Sequence, residues 1–197
     1  MSVLVIGAGP AGARTAGRLA EYGVDVILVE YLQNSKDHNF SSAVVPKSAL
    51  DTHSIPSAAI SSYWKNWQII DPFGRKHIWF GKSSLGAVLD FSVLREKLWI
   101  EAQRTGVEFL LGWKVISVIS RDNSAEVILR NKYGSFQKRK VQWVVDATGF
   151  KRSFLDPNRG QLKDNQDSFC SGFGAELILK CNLLHSTKWI NSLSFFL

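Results

Sequence analysis

Cysteine is scarce in this chain: Cys170 and Cys181 are its only two. Two thiols eleven positions apart build no disulfide framework and no CxxC pair, so a reducing compartment, the cytoplasm, is expected. No run of about 18 apolar residues occurs, which leaves no segment long enough for a helix to cross a bilayer. His38, His53, His77 and His185 are scattered without paired spacing or a companion acid cluster, so no metal site is expected. The absence of G-x-S-x-G leaves nothing in favour of a serine nucleophile elbow. No stretch repeats at a period of roughly 20 to 50 residues, which excludes a solenoid.

Negative charge is in deficit, with 17 Asp and Glu against 24 Lys and Arg and a formal net charge of +7. The excess is uneven: Lys132, Lys138, Arg139, Lys140, Lys151, Arg152, Arg159 and Lys163 face only Asp146 and Asp156 between positions 132 and 163. Such a concentration attracts phosphates, anionic lipid or nucleic acid, while the plainer reading is the solvated rim of a hairpin. No zinc-finger spacing, basic leucine-repeat helix or aromatic RNA-binding motif accompanies it, so no nucleic-acid partner is expected. At 45% hydrophobic and 21% charged, the 197 residues are neither disordered by composition nor a membrane bundle. They suffice for one real core, or a core with a small satellite.

Val3–Ile6 is a short apolar run whose two faces both want cover, the mark of a buried parallel strand. The opening SVLVIGAGPAGA has no basic residue before it and carries a glycine pattern, so it is read as strand and turn rather than as a signal sequence. Ala11–Tyr22 sets Ala13, Ala16, Leu19 and Ala20 on one helical face and stops at Gly23. Val24–Val29 gives a second buried strand ending at Glu30, so a βαβ unit fits into the first thirty residues.

Downstream, the pattern predicts a short helix between Pro46 and Pro56, another over 58–64, and a hairpin turning at Asp71–Gly74. Trp67, Ile69, Ile78 and Phe80 are expected to pave one face of that hairpin, as core or as the wall of a ligand site. Trp64, Phe73 and Trp79 gather there too. Phe91, Leu94, Leu98 and Ala102 predict a helix over 91–105 stopped by Gly106, then a strand over 107–111. Runs at 114–119, 125–130 and 139–145 predict an antiparallel three-stranded meander whose last strand continues into VVDATGF. Segment 175–184 is open between strand and helix, and the apolar tail TKWINSLSFFL fits a sheet edge that wants cover.

Gly7, Gly9 and Gly12 form G-x-G-x-x-G directly after the first strand, and Glu30 follows 18 residues beyond Gly12. Gly7 permits a tight turn, Gly9 lets the backbone approach a pyrophosphate, and Gly12 lets helix and strand pack closely. Free N–H groups at the helix start offer donors and a positive dipole end, and Pro10 is tolerated because an N–H there has no internal partner. Glu30 would accept hydrogen bonds from both ribose hydroxyls of an adenosine and repel a 2′-phosphate. The pattern points to an adenine dinucleotide, and FAD and NAD share this cradle. Arg14 reads either as a phosphate contact or as an exposed helix former. Asp146 reads as ordering its turn or touching a ribose, and no catalytic residue is assigned.

On these residues the chain resembles the FAD-dependent oxidoreductase superfamily, in the branch of geranylgeranyl reductases, aromatic hydroxylases and flavin halogenases. The resemblance lies in three segments: the dinucleotide motif with Ala16, Leu19, Gly23 and Glu30 at the family's spacings, LDFSVLREKLWIEAQRTGVEF, and VVDATGF. The middle segment is similar to a family helix that begins near an Asp–Arg pair, although here Phe91 follows Asp90. VVDATGF resembles the strand and turn beside the FAD adenosine.

The resemblance implies an α/β fold: a Rossmann-like FAD-binding domain with the antiparallel meander and part of a second, substrate-facing sheet. It implies an FAD-dependent reductase or monooxygenase taking a small apolar, isoprenoid-type substrate, with NAD(P)H as reductant. It further implies that Gly7, Gly9, Pro10, Ala11, Gly12, Glu30, Val115, Asp146 and Gly149 hold the adenosine diphosphate end. The loop FSSAVVP over 40–46 stands where related reductases carry a glycine-rich stretch near the isoalloxazine. The family's second flavin motif, which contains Gly–Asp, is absent. The chain is therefore expected to be the N-terminal part of such an enzyme, truncated or split, with a partner chain supplying the C-terminal half, cytoplasmic or peripheral to a membrane. The expected organisation is a βαβ unit over 1–40, a substrate-side insertion over 41–88, the rest of the FAD domain over 89–150, and the start of a second domain over 151–197. Two other readings stand beside this one: a nucleotide-binding module without turnover, and an enzyme similar to the lycopene cyclases, which hold FAD.

Overall fold

The computed structural model describes residues 1–37, 43–149, 154 and 192–196. They fall into two compact units, one of residues 1–37 with 95–149 and Phe154, the other of residues 43–94 with 192–196.

The first unit is organised by the expected apolar runs. Strand β1 (Ser2–Ile6) and strand β2 (Asp25–Glu30), joined by helix α1 (Pro10–Glu21), lie parallel at the centre of a four-stranded sheet. Strand β8 (Glu108–Leu111) flanks β2, and strand β12 (Trp143–Asp146) flanks β1. Side chains alternate along these strands, so each run divides between two faces. Val3, Val5, Val26 and Leu28 pack with Ala13 and Ala16 of α1 and with Trp99 and Ala102 of helix α3 (Phe91–Arg104). Leu4, Ile6, Ile27 and Val29 pack on the other face against Val115, Val127, Leu129 and Val141. Those four come from a meander of β9 (Trp113–Arg121), β10 (Ser124–Asn131) and β11 (Phe136–Val141). Helices on one side and a meander on the other leave neither face wet, which is why the strands read as unbroken apolar stretches. The α/β class with a parallel Rossmann-like sheet and added antiparallel sheets is the one expected.

The meander's last strand does not continue into VVDATGF. β11 stops at Val141, and the backbone N–H of Gln142 donates to the Ser2 carbonyl at 3.1 Å while the Gln142 Oε1 accepts from the Ser2 N–H at 2.9 Å. β12 then begins as the neighbour of β1. The physical reason is the change of pattern at Gln142: alternating Lys138–Val141 suits a strand with one wet face, whereas Val144 and Val145 suit a strand covered on both.

In the second unit, helix α2 (Lys47–Thr52) occupies the space between Pro46 and Pro56 as expected. Residues 58–64 are not a helix. A 3-10 turn over Ser57–Ala59 leads into β4 (Ile60–Trp64), which pairs antiparallel with β7 (Gly86–Leu89), while β3 (Val44–Pro46) takes the other edge of β7. Ile60, Tyr63 and Trp64 carry the branched and aromatic side chains that fit a pleated surface, and β7 offers the edge that decides the outcome.

The hairpin of β5 (Asn66–Ile70) and β6 (Lys76–Phe80) forms around the expected turn. Its register, however, pairs Trp67 with Trp79 and Ile69 with His77, and sets Ile78 opposite Gln68 and Phe80 opposite Asn66. Trp67 and Ile69 therefore share one face, and Ile78 and Phe80 the other, because the residues spent in the turn fix the parity of the partner strand. Nor is β6 a core ribbon, since every one of its residues is exposed. Trp67 and Trp79 stack with ring centroids 4.4 Å apart. Strand β13 (Ser192–Phe196) pairs parallel with β5, so the tail takes a sheet edge. Segment 175–184, both cysteines, His38, His185 and the basic residues Lys151, Arg152, Arg159 and Lys163 lie outside the described residues.

Candidate functional site

The three glycines after β1 differ in what each requires. Gly7 has φ +95°, its N–H donates to the Val29 carbonyl at 2.8 Å, and a Cβ on it would stand 2.7 Å from the Ala147 carbonyl oxygen. Gly12 is tighter still, since its Cβ would fall 1.8 Å from the Gly7 carbonyl oxygen. Gly9, the N-cap of α1, has φ −64° and ψ 178°, a conformation open to any residue, and its Cβ would meet nothing within 4 Å. Packing among the described residues therefore accounts for Gly7 and Gly12 but not for Gly9.

The peptide at Ala8 is held on both sides. Its N–H donates to Glu30 Oε2 at 2.7 Å, and its carbonyl accepts from the buried indole Nε1 of Trp99, also at 2.7 Å. Glu30 Oε1 accepts from the Leu32 N–H at 2.9 Å, so the carboxylate joins the glycine loop to the end of β2. Arg95, only 5% exposed, donates from Nε to the Ser35 carbonyl and from Nη2 to the Asp37 carbonyl, each at 2.6 Å, and so fixes the chain beyond β2. Burial lowers its pKa while the negative charges of Glu30 and Asp37 oppose that shift, and a guanidinium remains cationic throughout the physiological range. Trp99 and Arg95 were not singled out by the sequence pattern. Their signal is the spacing Arg95, Trp99, Ala102, a second buried stripe beside Leu94 and Leu98.

A groove of about 940 Å³ opens at the C-terminal ends of the parallel strands. Gly7, Gly9, Glu30, Val115 and Gly149 all line it, together with Tyr31, Trp113 and Thr148. Four expected residues do not line it. Pro10 opens α1, Ala11 is exposed, and Gly12 is buried beneath the loop. Asp146 spends Oδ1 on the N–H and hydroxyl of Thr148, at 3.0 and 2.6 Å, and Oδ2 on the Phe154 N–H at 2.9 Å. It orders the turn that brings Thr148 and Gly149 to the groove. Arg14 faces Glu101 at 3.1 Å on the surface. Among the described residues no cluster of His, Cys, Asp and Glu could hold a metal, and no helix is long and apolar enough to cross a membrane.

The groove fits an adenine dinucleotide on one observation: the open volume beside Gly9 lies at the start of a twelve-residue helix, next to an anchored carboxylate. A helix start supplies unpaired N–H donors and a positive dipole end to a phosphate, and a carboxylate oxygen retains lone pairs for ribose hydroxyls.

Comparison with known proteins agrees with this geometry. The chain is 27% identical over 151 residues to the digeranylgeranylglycerophospholipid reductase of Methanothrix thermoacetophila, an alignment covering 75% of this chain and 39% of that protein. It is 30% identical over 151 residues to the protein of the same name from Methanosarcina acetivorans, covering 75% and 37%. The chain thus spans under half the length of these curated relatives. Among solved structures, a geranylgeranyl bacteriochlorophyll reductase-like protein from Thermoplasma acidophilum superposes with a TM-score of 0.68 at 21% identity, over 78% of this chain and 40% of that one. The family description for pyridine nucleotide-disulphide oxidoreductases matches residues 1–173, so the chain belongs to that family, within the FAD-dependent oxidoreductase superfamily.

Proposed function

We propose that this chain is the FAD-binding part of an oxidoreductase of the reductase or monooxygenase type, acting on an apolar, isoprenoid-like substrate with NAD(P)H as reductant. FAD would supply the hydride and electron chemistry, which belongs to the isoalloxazine rather than to an amino acid. The chain's own residues bind and orient. Gly9 leaves room for the pyrophosphate, and the N–H groups at the head of α1 receive it. Glu30, held in place by the Ala8 and Leu32 N–H groups, accepts from the ribose hydroxyls. Val115, 3% exposed and packed in the core, gives the adenosine an apolar wall, and Gly149 brings backbone to the same groove. The isoprenoid class rests on the names of the relatives. On this reading the remainder of the enzyme is supplied by further chain or by a partner, and the setting is cytoplasmic or peripheral to a membrane.

The single observation that carries the reading is the convergence of Gly7, Gly9, Glu30, Val115 and Gly149 on one groove. The test is to refold the chain with FAD, remove free cofactor, and record the flavin's visible absorbance and its bleaching by dithionite. Stoichiometric yellow protein that bleaches is expected, with Glu30→Arg weakening FAD retention by roughly tenfold or more through loss of charge-assisted hydrogen bonds. A folded chain that binds neither FAD nor NAD, or that ignores Glu30→Arg, overturns the assignment.

A further inference from the structure

Beside the nucleotide groove lies a second cleft, of about 390 Å³, lined by Tyr31, Lys114, Arg130, Asn131, Lys132 and Gly134. Tyr31 and Lys114 line both spaces, so the two adjoin. Three of the six lining residues are cations and none is an acid. Register sharpens the point, for Lys114 on β9 stands directly opposite Arg130 on β10. Like charges at opposed positions repel across a sheet. Elsewhere in the same meander Lys138 reaches Glu126 at 2.7 Å and Arg139 reaches Glu108 at 3.0 Å, while Arg121 and Lys140, like the cleft's cations, have no ion pair among the described residues but stand apart from the cleft. Among the described residues no ion pair includes Lys114, Arg130 or Lys132.

The neighbouring Glu30 lines the nucleotide groove rather than this cleft, and among the described residues no ion pair joins it to any of the three cations. Lys132 is steadied by a neutral acceptor, Gln33 Oε1 at 2.8 Å, which leaves its ammonium two further donors. The turn that carries it is set by Asn131, whose Oδ1 accepts from the N–H groups of Tyr133 and Ser135 at 3.0 and 2.9 Å.

We infer that this cleft is a phosphoryl-anion site at the rim of the nucleotide groove. Its ligand is a doubly charged phosphate, borne on a lipid headgroup or free in solution. Opposed cations that repel when the cleft is empty are the arrangement a bridging phosphate relieves, and Arg130 offers the planar fork that matches its oxygens. The inference does not rest on the function proposed above, since these residues take no part in holding FAD there.

The test uses the full chain and two probes, inorganic phosphate by calorimetry and vesicles by co-sedimentation. The vesicles are phosphatidylcholine alone, or phosphatidylcholine with phosphatidic acid in equal parts. The Lys114→Gln/Arg130→Gln double variant is compared with a Lys47→Gln/Lys82→Gln control that removes the same charge from the other unit. Lys132→Gln serves as a second site variant, and thermal unfolding confirms that each protein is folded. Affinity is expected to fall by roughly tenfold or more in the double variant and by less than about twofold in the control. Saturable phosphate binding without vesicle capture identifies a free anion. Capture only by phosphatidic acid vesicles, lost in the double variant, identifies a headgroup. Either supports the site. Absence of saturable binding to both probes, or equal weakening in variant and control, overturns it.

Discussion

Gly12 in the first unit and Gly86 in the second are equally intolerant of a side chain, yet their surroundings differ in kind. A Cβ on Gly12 would lie 1.8 Å from the Gly7 carbonyl oxygen, and one on Gly86 would lie 2.1 Å from the Val45 carbonyl oxygen and 2.7 Å from the Trp64 ring. At Gly86 the crowding simply packs β3, β7 and β4 together. At Gly12 the crowding shapes a loop that ends at Gly9, where a Cβ would meet nothing. Tight packing by itself marks no site. What marks one is tight packing that encloses open space lined by donors.

The largest effects should therefore be alike in the two units. Gly12→Val and Gly86→Val should each cost roughly 3 kcal/mol or more, because backbone atoms rather than flexible side chains stand in the way. Denaturant unfolding measures this, and a tolerated Gly12→Val would remove the premise of a rigid loop. Next comes Trp99→Phe, which keeps an aromatic ring in the core but removes the donor to the Ala8 carbonyl. A buried carbonyl left without its partner costs about 1–3 kcal/mol, read as a lower melting temperature. FAD affinity should fall with it, since Ala8 also carries the N–H that holds Glu30.

The sharper separation is Gly9→Ala. Its backbone conformation suits alanine, so stability should stay within about 0.5 kcal/mol of the parent. The added methyl projects into the groove, and FAD affinity should drop by roughly tenfold, or ~1.4 kcal/mol. Paired measurements of unfolding and FAD titration decide the matter. Loss of stability in place of affinity would make Gly9 a packing residue like Gly12 and erase the contrast.

Much of the first unit was legible because its signals are local. The apolar runs of β1 and β2, the small residues of α1 and the glycine spacing all fall within the first thirty residues. The sheet switch at Gln142 was not legible, because it depends on Ser2, at the other end of the chain. Trp99 and Arg95 stayed hidden for the same reason: their partners Ala8 and Ser35 are 91 and 60 residues away. In the second unit, β3 and β7 are three and four residues long, too short to show a period. The hairpin was visible from Asp71, Pro72 and Gly74, but which side chains share a face was not. That depends on register, and a shift of one residue moves every side chain to the other face.

The smallest expected effect lies at that hairpin's tip, where Asp71 collects donors much as Glu30 does. Its Oδ1 accepts from the N–H groups of Phe73 and Arg75 at 2.9 and 3.0 Å, and its Oδ2 from Arg75 Nε at 2.6 Å, with His77 Nε2 at 3.4 Å. Desolvation pushes the Asp71 pKa up, but the hydrogen bonds, those from Arg75 foremost, outweigh it and hold the group below its ordinary value of 3.8. A carboxylate with a depressed folded pKa stabilises the fold fully above its unfolded value and loses that contribution as pH falls through the folded one. Asp71→Asn should thus melt slightly below the parent at neutral pH, with the gap closing only under acid conditions below 3.8. Asparagine retains one acceptor for the turn N–H groups but not the charge that attracts Arg75, so the pH-dependent part of the gap isolates the charge. A gap that stays constant into strong acid would show that the tip is held by turn geometry alone. The resemblance between Asp71 and Glu30 would then end at their backbone N–H donors.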